Sequence, residues 1–182
     1  MHPPLESVQA YLDQIPMNDA VPKDVQKQFE VAKKLCLHAC VVYEFWTVSN
    51  LVALLAVESA LRHKFTQHYS GCFVLEKAGK TETVEGDYKR LRPRLQRGWK
   101  FADWPNLRPT LQSLVEWAAS KGLLGELEET ARTAIPRLRN DMAHPDFQQI
   151  VPPGMALTAV LRCGQITNQL FANEAEASTV EP

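Results

Sequence analysis

Glycine is scarce in this chain, eight residues in 182, and none lies in a GxGxxG or phosphate-cradling loop. Nucleotide-cofactor chemistry of the Rossmann or Walker type is therefore not expected. A GxSxG nucleophile elbow is also missing. The four cysteines, Cys36, Cys40, Cys72 and Cys163, lack the paired-loop spacing of a disulfide scaffold. A reducing, cytoplasmic setting is the expectation. The opening MHPPLESVQAYLDQIP has no basic stretch followed by an apolar core, which argues against a secretory signal. No long apolar run exists either: Phe45 to Leu61 is interrupted by Thr47, Ser49, Asn50, Glu58 and Ser59. That pattern suits a buried core helix better than a membrane span. Formal net charge is −1, so no overall basic field advertises nucleic-acid binding, and any such binding must come from local clustering.

A metal site is not expected. Cys36 and Cys40 are four apart and share a helix face, but His38 points roughly the other way. His63 and His68 are five apart, about 140° round a continuing helix. No CxxC, HExxH or carboxylate cluster accompanies them. No cofactor is expected.

What is present is helical periodicity. With 45% hydrophobic and 23% charged residues the composition is that of a globular chain. Leu5, Val8, Leu12 and Ile15 predict a short first helix ending near Pro16. Pro22 suits the first turn of the next, with Val25, Phe29, Ala32, Cys36 and Ala39 down one face. An apolar segment from about Phe45 to Gln67 offers Val48, Leu51, Leu54, Leu55, Leu61 and Phe65 to a core. Leu111, Leu114, Val115 and Ala118 form a further stripe with Gly122 as C-cap. Glu126 to Ala143 reads as helix, with Pro136 as a kink or a fresh start, and a last helix spans about 155–171. Between the central helices, roughly 70–105, the pattern changes. Alternating residues around Ala78-Gly79 allow a small hairpin, and the proline-punctuated DYKRLRPRLQRGWKFADWP reads as an irregular connector. The expectation is one all-α domain over 1–172, an antiparallel helical bundle carrying this insertion. An acidic, disordered tail would follow over 173–182.

The residues that ask for chemistry are RLRNDMAHP, Arg137 to Pro145. Ile135, Leu138 and Met142 have the spacing of a core stripe. Arg139, Asn140, Asp141 and His144 flank it, and Pro145 stops the helix. A structural role is available: Arg139 and His144 could simply stabilise the negative end of the helix. The arrangement also satisfies Arg-x4-His with a polar residue directly after the arginine. In an all-helical chain that wording resembles the HEPN superfamily, helical proteins that often act as ribonucleases. AVESALRHKF and SKGLLGEL resemble family segments too, so the likeness covers about Val31 to Phe171, and LRNDMAHP is its specific part. A competing Arg-x5-His occurs at Arg62 and His68, in less typical wording.

The resemblance implies a metal-independent endoribonuclease, a homodimeric toxin or antiviral effector, with Arg139 and His144 catalytic and Asn140 assisting. Its substrate would be RNA, with an antitoxin or regulatory protein as a further partner and no membrane. RNA carries its own nucleophile, the 2′-OH. Cleavage needs a base, an acid and a cation to stabilise the phosphorane. Histidine suits the proton transfers and arginine the last task. One chain supplies a single such histidine, and two protomers facing each other supply two. Asp141 could favour the charged imidazole. Glu58 and Arg62, four apart, either brace the site or form an ordinary ion pair. Lys89, Arg90, Arg92, Arg94, Arg97 and Lys100, with Trp99 interleaved, are candidates to contact single-stranded RNA. The alternative is a non-catalytic module of the same kind that dimerises or binds a nucleotide or a partner.

Overall fold

Helical spacing is realised over most of the chain, and the computed structural model describes residues 3–143 and 151–172. The first helix, α1 (Leu5–Leu12), turns its buried Val8 and Leu12 onto α2 (Lys23–His38). On α2 the face Val25, Phe29, Ala32 and Cys36 is sealed from solvent. Residues 39–44 then turn the chain into α3 (Phe45–His68). Buried residues occur on every side of α3, from Trp46 through Ala53, Ala56 and Ala60 to Phe65. A helix apolar all round must be surrounded. It packs against α2 on one side, α7 (Pro153–Leu170) on another, and also meets α4 (Tyr88–Gln96), α5 (Leu111–Ser120) and α6 (Glu128–Ala143). Val48, expected in this core, is exposed, whereas Trp46 is sealed from solvent.

The all-α expectation is overturned by a three-stranded antiparallel sheet of order β2-β1-β3. Strands β1 (Cys72–Lys77) and β2 (Lys80–Glu85) form the hairpin, with Phe73 opposite Val84 and Lys77 opposite Lys80. Its two-residue turn, Ala78-Gly79, has φ of 50° and 75°, the left-handed pair a tight hairpin requires. Strand β3 (Lys100–Phe101) pairs with β1 from the far side. Between them the expected irregular connector is largely helix, α4 (Tyr88–Gln96). Asp87 caps it by accepting the Arg90 N–H at 3.2 Å, and Tyr88, Leu91 and Leu95 supply a buried stripe. Pro93 lies inside it, on the exposed side.

The sheet is bolted to the helices by aromatic rings. Phe65 of α3 lies 5.8 Å from Phe73, 5.7 Å from Phe101, 5.6 Å from Tyr88 and 4.8 Å from Trp117, centroid to centroid. Trp117 belongs to α5 (Leu111–Ser120), which ends in a Schellman turn: Leu123 N–H reaches the Ala118 carbonyl, and Gly122 takes φ 68°. A 3-10 turn (Gly125–Leu127) leads into α6 (Glu128–Ala143), which is continuous through Pro136. Helices α3 and α7 run in the same direction. Val151 N–H donates to Thr47 Oγ1 at one end, and Lys64 sits over the Phe171 ring at the other. Among the described residues no helix is long and apolar enough to cross a membrane.

Candidate functional site

Glu58 is the one acidic residue in the buried stretch of α3, and only 8% of it is exposed. A carboxylate placed there needs cationic partners. One comes from the same helix: Arg62, one turn later, donates Nη2–H to Glu58 Oε1. The second comes from α6, where Arg139 Nε lies 3.4 Å from Glu58 Oε2 as an ion pair. So Glu58 sits between Arg62 and Arg139, each about one third exposed, and ties α3 to the helix that carries Arg139.

Helix α4 closes a further side. Thr66 on α3 donates its hydroxyl to the Arg62 carbonyl at 2.9 Å and accepts the Tyr88 N–H at 3.2 Å. This fixes the start of α4 one turn beyond Arg62. The Tyr88 ring then lies beneath the Arg62 guanidinium, 5.8 Å from centroid to Cζ, a cation–π contact. Burial pushes the Tyr88 phenol up to about 12, while Arg62 and Arg92 pull it down and Glu58 pushes it up. Three polar atoms around this point, Glu58 Oε2, Arg62 Nε and Tyr88 Oη, are buried and have no hydrogen-bond partner among the described residues.

The structure brings Glu58, Arg62 and Arg139 together, and adds Tyr88 and Thr66, which the sequence did not connect with them. A signal for Tyr88 existed: Asp87 before the spacing Tyr88, Leu91, Leu95 is a capped amphipathic helix. The anchoring of α6 also differs from expectation. Ala131, Ile135 and Pro136 are buried, whereas Leu138 is 39% exposed. His144, Pro145 and the tail from 173 lie outside the described residues, as do the side chains of Asn140, Asp141 and Met142.

The competing pair does not converge. His68 leaves α3 on another side and packs edge-on against Tyr69 (4.8 Å) and Trp117 (5.5 Å). Its pKa is lowered by desolvation, with Lys121 and Lys64 adding to the effect. His63 instead meets Asp24 of α2 at 2.8 Å. Cys36 is buried in the core, which pushes its thiol up to about 11.

The basic residues between 89 and 100 fall into distinct environments. Lys89, Arg90, Arg92, Arg97 and Lys100 are exposed. Arg94 is ion-paired with Glu82 of β2 at 2.6 Å, and Arg90 Nη1 reaches the Glu85 carbonyl at 3.4 Å. Trp99 is half-buried against the core, so its ring is committed to packing.

Comparison with protein-family models, with curated proteins and with solved structures finds no match.

Proposed function

We propose that this chain is a metal-independent endoribonuclease of the HEPN kind, working as a homodimer in a toxin or antiviral setting. The observation that carries the reading is the double contact of Glu58 with Arg62 and Arg139. It holds the arginine of the Arg-x4-His sequence on a half-exposed rim, where a bidentate cation can meet a phosphate. Glu58 and Arg62 are positioning residues in this scheme. Arg139 and His144 are the catalytic residues, and Asn140 assists them.

The reaction balances without an external nucleophile. A histidine takes the 2′-OH proton, and the 2′-oxygen bonds to phosphorus. The P–O5′ bond breaks, and a second histidine protonates the leaving 5′-oxygen. Products are a 2′,3′-cyclic phosphate and a 5′-hydroxyl. Arg139 stabilises the charge that builds on the phosphorane oxygens. Since one chain contributes one His144, the second histidine is assigned to a second copy of the chain.

A non-catalytic binding module is the second reading. It is favoured by the same Glu58 contact, since an arginine already balanced by a carboxylate can serve as a structural brace. Purified protein incubated with single-stranded RNA in EDTA separates the two. The nuclease reading expects fragments ending in 2′,3′-cyclic phosphate and a dimeric mass by light scattering. Intact RNA under these conditions overturns it.

A further inference from the structure

Helix α4 presents two chemically different flanks, and only one of them faces the Glu58 cluster. Taking about 100° per residue, Arg92 is offset about 40° from Tyr88, and Arg94 about 120° in the opposite sense. The Arg94 flank looks onto the sheet, where its guanidinium is held by Glu82 at 2.6 Å. The Arg92 flank lies one turn along from the Tyr88 ring that Arg62 covers. Arg62 and Arg92 are both close enough to the Tyr88 phenol to act on it electrostatically, and so is Glu58. Arg139 joins them through Glu58.

Two guanidinium groups, of Arg62 and Arg139, share one carboxylate, and Arg92 adds a third beside Tyr88, so among the described residues arginine outnumbers carboxylate at this point. The Tyr88 hydroxyl, on a side chain only 3% exposed, and Arg62 Nε have no hydrogen-bond partner among the described residues at the same point. A surplus of arginine beside unsatisfied buried polar atoms suits an anionic ligand with several oxygens. Arg92, exposed and outside the ion pairs of the described residues, has its charge free for that ligand.

We infer that Arg92 extends the Arg62–Arg139 cluster into a track for successive phosphates of single-stranded RNA, and that Arg94 lies outside this track. The inference rests on the ribonuclease reading for the identity of the ligand. Arg92 holds the strand by a neighbouring phosphate, while Arg139 faces the one that is cleaved. This divides the basic residues of the 89–100 segment by where α4 places them, a distinction that their charge alone does not make.

The test is fluorescence anisotropy with a labelled 2′-O-methyl oligoribonucleotide, which lacks the nucleophile and cannot be cleaved, across a series of salt concentrations. Arg92→Ala is expected to weaken binding about tenfold at low salt and to reduce the slope of log K against log salt by about 0.7. Arg92→Lys keeps the slope. Arg94→Ala keeps both affinity and slope, with thermal unfolding showing each variant folded. Equal losses in Arg92→Ala and Arg94→Ala, an unchanged Arg92→Ala, or no binding by the wild type overturn the inference. Cleavage is read separately on unmodified RNA. Binding that depends on Arg92 without any cleavage upholds the track and removes the nuclease step alone.

Discussion

Arg139 Nε of α6 stands 3.4 Å from the Oε2 of Glu58, a carboxylate sunk in the middle of α3. Arg62 holds the other oxygen of the same carboxylate. The two arginines differ in kind: Arg62 makes a charge-assisted hydrogen bond, and Arg139 makes an ion-pair contact.

That difference sets the first prediction. Glu58→Gln leaves both arginines half-buried without a counter-ion, and should lower the unfolding free energy by about 2 kcal/mol. Arg62→Ala should cost more than Arg139→Ala, because only Arg62 forms the hydrogen bond. Urea unfolding of the three variants measures this, and a double-mutant cycle on Glu58 and Arg139 isolates their coupling. A larger loss in Arg139→Ala than in Arg62→Ala contradicts the geometry.

Tyr88 gives a pH-dependent prediction. Burial pushes its phenol up to about 12 from the ordinary 10.0, so the folded state keeps a proton that the unfolded chain releases. The stabilisation is complete below pH 10 and is lost as pH rises towards 12, at roughly 1.4 kcal/mol for each tenfold difference in proton affinity between the two states. Cys36 and Cys163, pushed up to about 11 and about 12 by burial, fall in the same alkaline range. Tyr88→Phe should therefore make stability fall less steeply between pH 10 and 12. At neutral pH it should be neutral or stabilising, because it removes a buried hydroxyl that has no partner among the described residues. A large destabilisation at pH 7 would show that the hydroxyl is bonded after all.

Packing of α7 gives a third. A Cβ on Gly164 would come within 2.3 Å of Ile15 Cγ2 and 2.9 Å of the Phe29 ring. The helix can approach Ile15, just beyond α1, and Phe29 of α2 this closely only because that position has no side chain. Gly164→Ala should destabilise by about 1–3 kcal/mol, the usual cost of overpacking. Adding Ile15→Ala makes room, so the double variant should lose less than the sum of the two single losses. Strict additivity in a calorimetric or denaturant titration contradicts the contact.

How much of this is legible in the sequence depends on the range of the interactions involved. Val25, Phe29, Ala32 and Cys36 announce their helix because each repeats the 3.6-residue period locally. The hairpin is visible in the alternating residues around Ala78-Gly79, a signal that is also local. β3 is not, since two residues, Lys100 and Phe101, become a strand only by pairing with Leu75 and Glu76 far back in the chain. Pro93 disguises α4 as a loop. Proline removes one backbone donor, and Tyr88, Leu91 and Leu95 compensate through burial that composition cannot reveal. At the site, Glu58 and Arg62 are visible as an i, i+4 pair. Tyr88 beneath Arg62 depends on where the insertion docks. Leu138 fits the apolar stripe by spacing, yet α6 turns it outwards.

The central claim is that Arg139 and His144 cleave RNA, and His144→Ala compared with His68→Ala tests it most directly. Both variants would be assayed on single-stranded RNA in EDTA beside the wild type, with matched thermal unfolding. The account predicts a loss of at least about a hundredfold in His144→Ala, the scale of a missing general acid–base group. It predicts wild-type cleavage in His68→Ala, whose ring packs on Tyr69 and Trp117 away from the arginine cluster. Full activity in His144→Ala, or its loss in a folded His68→Ala, would contradict the account.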